Sequence, residues 1–266
     1  MNRIEKKFLD LKTNRKKALI VFLTGGDPSL SKNEALIPAL EKEGVDLVEI
    51  GVPFSDPLAD GPVIQASSQR SLKRGTTLEK ILALVRRVRR RSAIPLVLMS
   101  YYNPILHYGL ARFSKDAKTA GVDGMIIPDL PPDEGREAAA IFAKAELDLI
   151  YLLAPTSTAE RQKMISRLSR GFIYFVSVTG VTGTGRGISQ NVLRQIEAVR
   201  RGCARAVCVG FGVSTPEQAR RIARSADGVI VGSSIVQALA EHSSWSAARF
   251  AKKFIRPLRL ALGKGK

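Results

Sequence analysis

The sequence predicts a closed (β/α)₈ barrel, a single domain over residues 1–266 with an extra N-terminal helix and loop insertions. Three observations predict it. Short apolar runs alternate with helix-patterned segments eight times along the chain. Those runs are apolar at successive positions, as expected of parallel strands covered on both faces. The length, 266 residues, matches the roughly 250 that such a barrel uses. An open doubly wound sheet is the alternative, but eight regular units favour closure, and no linker or shift in composition divides the chain.

The opening segment, MNRIEKKFLDLKTNRKK, reads as an amphipathic, charged helix without the apolar stretch of a signal peptide. ALIVFLTGGDP then forms the first buried strand, closed by a Gly-Gly turn, and SKNEALIPALEKEG has helical spacing with a Ser near its start and a terminal Gly. DLVEIGV is the second strand, followed by a helical region broken at Gly75 that runs through LEKILALVRRVRR. PLVLMSYY is the third strand, with a helix over residues 111–120 behind it. GMIIPDL is the fourth, and its helix, in PPDEGREAAAIFAKA, carries acidic residues in the first turn, where they suit the positive end of the dipole. LDLIYLLAP and FIYFVSV are the fifth and sixth strands, the latter opening into the loop TGVTGTGRGIS. AVCVGFGV and GVIVGSS complete the eight, each with its helix, and a last helix spans residues 246–262.

Composition excludes several classes. With 45% hydrophobic and only 6% aromatic residues, the core is expected to be aliphatic. No apolar run approaches the roughly 20 residues a membrane-spanning helix needs, so a cytoplasmic protein is expected. Cys203 and Cys208 are the only cysteines and read as inert thiols at a buried strand. The net charge of +18 is large, and much of it lies in RRVRRRS and in Arg220, Arg221 and Arg224. Such runs usually form solvated helix faces. No aromatic residues interleave with them, which argues against a stacking surface for nucleic acid.

Barrel active sites form at the C-terminal ends of the strands, so the strand ends carry the functional reading. None of the eight strands contains a lysine, which removes a Schiff-base nucleophile. The only histidines, His107 and His242, fall in a loop or a helix end and leave no metal triad. What remains is Glu49, a carboxylate inside the apolar second strand, and a rigid, proline-rich loop that returns Asp60 toward the same strand end. Burying a charge is costly unless it is paired or protonated, so either an ion pair or an acid–base pair is expected. Asp129, Tyr102 and Tyr174 also lie at strand mouths, where capping or aromatic packing would explain them equally well. Glycines follow three consecutive strands, in GVTGTG, GFGVS and GSS, the last directly before a helix; backbone N–H groups there can surround a phosphate.

VEIGVPFSDPLADGPVIQ, with MSYYNP, IIPDLPP, SVTGVTG, GFGVS and VGSS, closely resembles the tryptophan synthase alpha subunit family over nearly the whole chain. The resemblance implies a phosphate-binding TIM barrel that splits indole-3-glycerol phosphate into indole and glyceraldehyde 3-phosphate. It implies no cofactor in this chain. The partner is a beta subunit carrying pyridoxal phosphate, which receives indole through a tunnel in an αββα complex. By motif, Glu49 and Asp60 become the catalytic pair. Phe22, Tyr102, Ile126, Asp129 and Tyr174 fall where the family has pocket residues or their neighbours, and Thr182 matches a mobile-loop threonine that bonds the loop aspartate. Gly183, Gly212, Gly232 and Ser233 match phosphate contacts, with the Ser234 hydroxyl beside them. A regulatory subunit with little turnover of its own, and a basic nucleic-acid binder, are the readings from other classes.

Overall fold

The computed structural model describes residues 1–176, 189–210 and 212–263. Nine strand segments, all parallel, form one sheet: β1 (Ala18–Thr24), β2 (Leu47–Gly51), β3 (Leu96–Met99), β4 (Gly124–Ile126), β5 (Asp148–Ile150), β6 (Leu152–Leu153), β7 (Phe172–Phe175), β8 (Ala206–Gly210) and β9 (Gly228–Val231). Their order is β5-β4-β3-β2-β1-β9-β8-β7-β6. The two ends of that order are consecutive in the chain, separated by Tyr151 alone, so the sheet closes on itself. The predicted eight-stranded barrel is therefore present, its fifth strand interrupted at one residue.

Alternation along the strands divides the core in two. Outward-facing residues such as Val21, Val48, Leu98 and Val209 pack under the surrounding helices. Inward-facing ones, among them Ile20, Leu47, Val97, Ile126 and Ile230, fill the barrel. The helix Arg3–Thr13 closes the lower end: Ile4 and Leu11 join the interior cluster, and the Phe8 ring lies 5.7 Å from that of Phe172. Its start is fixed by an Asn2–Glu5 capping box.

Aspartates at the strand starts tie that lower end together. Asp46 accepts from the Leu19 N–H at 2.9 Å, Asp123 from Leu96 at 2.9 Å and Asp227 from Val207 at 3.0 Å. Each also meets basic side chains: Arg259 on Asp46, Arg3 and Arg89 on Asp123, Lys17 and Arg200 on Asp227. Asp46 and Asp123 are buried and Asp227 is half-buried, and each carboxylate thus satisfies a neighbouring strand's N–H while cations balance its charge.

Three predicted elements differ. The third strand ends at Met99 rather than at Tyr102, and a short helix, Tyr102–Tyr108, begins where the strand was expected to continue. The sixth strand stops at Phe175. The last helix is two, Ala247–Phe254 and Arg256–Leu262, because Pro257 has no N–H for an unbroken ladder.

Candidate active site

Glu49 sits in the middle of β2, in register with Phe22 on β1 and Val97 on β3. Its alternation puts it inside the barrel, one layer above Leu47. The side chain is fully buried, and neither carboxylate oxygen has a hydrogen-bond partner. Burial alone pushes its pKa up to about 8, since nothing nearby compensates a charge. At neutral pH it is a protonated acid aimed into the barrel mouth. The ion pair that would have made it a structural residue is absent among the described residues.

The surroundings are shaped by two inward glycines. A Cβ at Gly51 would fall on the Phe22 ring, and one at Gly210 on the Tyr174 hydroxyl. Glycine at these positions lets both aromatic rings lie across the mouth next to Glu49. Phe22 packs with Ile64 and Val236, and with Met99 on β3, making an apolar wall. Tyr174 lies close enough to both Glu49 and Asp60 that each raises its pKa, after burial itself.

Asp60 lies on the loop after β2, immediately before Gly61, the N-cap of the helix Pro62–Lys73. The Gln65 amide donates to its backbone carbonyl at 2.8 Å, holding the loop against the helix. Asp60 is half-buried, and burial raises its pKa to about 6, while a hydrogen bond from the Tyr101 hydroxyl pulls it back. It is therefore still ionised at pH 7, though with a higher pKa than a polar loop predicts. The same Tyr101 hydroxyl accepts from the Ala59 N–H at 2.8 Å, and its ring stacks on Phe54 at 5.1 Å.

That arrangement corrects one expectation. Tyr102, expected at the pocket or beside it, packs against the outer layer of the core. Its N–H donates to both oxygens of Asp129, at 2.9 and 3.2 Å. Asp129 thus anchors the first turn of the helix Tyr102–Tyr108, the capping role its sequence position left open. The tyrosine at the site is Tyr101. Reading Tyr101-Tyr102 as strand continuation hid the change of direction between them. Ile126, by contrast, lies on the interior face as expected. Met99 and Tyr101 were missed; for Met99 the alternation from Val97 was the available signal.

At the far side of the mouth, Gly232 is the N-cap of the helix Ser233–Glu241, and Gly212 holds a positive φ of 35° with open space where a Cβ would be. The Ser234 hydroxyl donates to the Val213 carbonyl at 3.0 Å, tying the two loops together. Its donor is spent there, which leaves backbone N–H groups at the helix start for an anion. Thr182 and Gly183 lie outside the described residues. Among the described residues no three His, Cys, Asp or Glu side chains gather to hold a metal, and no helix is long and apolar enough to cross a membrane.

A profile of the family described as tryptophan synthase alpha chain matches residues 8–258. The chain belongs to the tryptophan synthase alpha chain family. It is 52% identical over 263 residues to the tryptophan synthase alpha chain of Geobacter sulfurreducens, covering 99% of this chain and 100% of that one. It is 45% identical to that of Caldanaerobacter subterraneus, over 98% and 100% of the two chains. Among solved structures, the tryptophan synthase subunit alpha from Legionella pneumophila superposes with a TM-score of 0.91 at 36% identity, covering 98% of each chain. A tryptophan synthase from M. tuberculosis in its open form does so with a TM-score of 0.88 at 35% identity, covering 98% of this chain and 99% of that one. As an alpha chain the protein is a carbon–carbon lyase of tryptophan biosynthesis. It cleaves indole-3-glycerol phosphate to indole and glyceraldehyde 3-phosphate and passes the indole to a beta subunit, which holds the pyridoxal phosphate.

Proposed function

We propose that Glu49 and Asp60 carry this cleavage, Glu49 as the proton shuttle and Asp60 as the fixed anion beside the indole nitrogen. The observation that carries the assignment is the Glu49 carboxyl, buried without a partner and protonated at neutral pH. Direct rupture of the carbon–carbon bond would expel an indole carbanion. Proton transfer from Glu49 to indole C3 first converts the ring to an indolenine, which can accept the bonding electrons. The Glu49 carboxylate so formed then takes the proton of the glycerol hydroxyl on the adjacent carbon. The bond breaks, the electron pair returns to the ring nitrogen, and an aldehyde forms. Glu49 ends protonated, as it began.

Asp60, ionised above pH 6, stabilises the positive charge that grows on the ring N–H. Phe22, Met99, Ile126 and Tyr174 provide a flat apolar slot for the indole. The backbone N–H groups at Gly212 and at the start of helix Ser233–Glu241 hold the phosphate, with Gly183 assigned beside them by motif and Thr182 assigned by motif to bond the loop aspartate. The single domain acts in the cytoplasm, where Cys203 and Cys208 stay as free thiols, and in an αββα complex that passes indole through a tunnel. Indole formation from indole-3-glycerol phosphate, measured with and without a beta subunit, tests the reading. Glu49→Gln should lose about 10²–10⁴-fold or more in turnover, and near-normal indole production by that variant would overturn the assignment.

A further inference from the structure

Because every strand is parallel, the C-terminal turns of the helices and the chain ahead of each strand gather at the lower end of the barrel, away from Glu49. The densest run of arginines lies there too. Helix Leu78–Arg89 and the residues after it hold five arginines within residues 86–91, and helix Gln190–Gly202 ends in Arg200 and Arg201. The first turns of helices at the other end carry Glu79, Glu137, Glu160 and Glu217 instead. A basic residue at a helix C-terminus complements its dipole, but that effect fades within one turn and does not call for a run of five.

The strand-start aspartates neutralise only the inner cations of this face. Outside them Arg86, Arg90, Arg91 and Arg201 are exposed and, among the described residues, have no carboxylate within ion-pair distance. A solvent-open cavity of about 780 Å³ lies in the same face, lined by Arg3, Arg89, Arg91 and Lys118 together with Ser92, Thr119 and a single carboxylate, Glu41, which accepts from the Ser92 hydroxyl at 2.5 Å.

We propose that this lower face is a docking surface for double-stranded nucleic acid, held through its phosphates without regard to sequence. Arginine forks match phosphate oxygens two at a time. Protein interfaces need a core poor in charge and rich in aromatic residues, whereas nucleic-acid interfaces are strongly positive. Here the exposed large apolar side chains, Met1, Leu9, Leu168 and Leu260, come from three separate helical segments, and among the described residues no Phe, Tyr or Trp side chain is exposed. That lack of aromatic platforms disfavours single strands, which are held by base stacking, and leaves the regular backbone of a duplex.

The test is fluorescence anisotropy of a labelled random-sequence duplex of about 20 base pairs, titrated with the full chain from about 50 to about 300 mM KCl. The expected result is a dissociation constant that rises steeply with salt. Arg90→Glu with Arg91→Glu should weaken binding by about tenfold or more and make the salt slope shallower by about two, one for each arginine that no longer meets a phosphate. Indole formation with a beta subunit should be unchanged in that variant. A matched pair at the opposite helix ends, Arg112→Glu with Arg136→Glu, should weaken it less than about threefold. If the double reversal fails to fold, Arg91→Gln alone should still reduce the slope. Three results would overturn the proposal. They are no binding at low salt, equal weakening by the two reversed pairs, or displacement of the duplex by polyglutamate at lower concentration than by unlabelled duplex. The last would make the partner an acidic protein.

Discussion

A carboxyl group with no partner inside a barrel can shed its charge only by keeping its proton, and Glu49 does so up to about pH 8. In the proposed mechanism the acid step needs Glu49 protonated and the cation on nitrogen needs Asp60 ionised, with a pKa of about 6. The profile of kcat/KM against pH should therefore be a bell with limbs near 6 and 8. Tyr101→Phe removes the hydrogen bond that lowers the Asp60 pKa, so its acidic limb should move upward; an unmoved limb would separate Tyr101 from Asp60. Asp60→Asn should cut turnover more than it weakens binding of an indole-propanol phosphate analogue. Glu49 also bears on stability. Its folded pKa is raised above the unfolded value near 4.5, so the unfolded chain holds fewer protons between those two values. Stability is lost as pH rises through that window, by at most about 3 kcal/mol at pH 7. Glu49→Gln should consequently melt at a higher temperature than the parent at pH 8, with the gap closing toward pH 4.5. The oddity of Glu49 was legible in the sequence because a carboxylate in an apolar strand violates a strong rule. Tyr101 was not, because adjacent tyrosines at the end of a strand look alike until the chain turns.

Elements were read most securely where apolar periodicity was long. The fifth strand read as one run, LDLIYLLAP, but the ladder breaks at Tyr151, whose hydroxyl is buried without a partner. No local residue type announces such an interruption. The helix Tyr102–Tyr108 was missed for a related reason: its start is set by Asp129, 27 residues away, and not by a residue beside it. The aspartates at 46, 123 and 227 show the opposite case. Each precedes an apolar run in the sequence, yet their job of binding a neighbouring strand's N–H appears only when the strands pair. Asp123 is buried with two arginines and the Leu96 N–H on it. Asp123→Ala should cost about 3–5 kcal/mol, since it strands the largely buried Arg89 guanidinium and the Leu96 N–H together. Chemical denaturation of the variant measures this, and a loss under about 1 kcal/mol would show the ring to be dispensable.

For the whole molecule, closure of the barrel was legible from eight repeats, and the face bearing the chemistry followed from the direction of the strands. What places Phe22, Tyr174 and the glycines opposite them is register between strands far apart in the chain, which a single sequence does not display. Coupling to the partner belongs at this scale. If a substrate analogue and the beta subunit favour the same state of this chain, each must tighten the other's binding by the same factor. Titrating the beta subunit with and without an indole-propanol phosphate analogue should show tighter association in its presence, and an unmoved constant would remove the coupling. The helix Arg3–Thr13 adds a matter of timing. It is made before every strand of the barrel, while Asp123 and Phe172, which hold it, follow more than a hundred residues later. Until then its apolar stripe, Ile4, Phe8 and Leu11, has nothing to cover it, and nascent chains in that condition are targets for chaperones and for one another. The residues that seal the finished barrel are thus the ones exposed longest while it is being made.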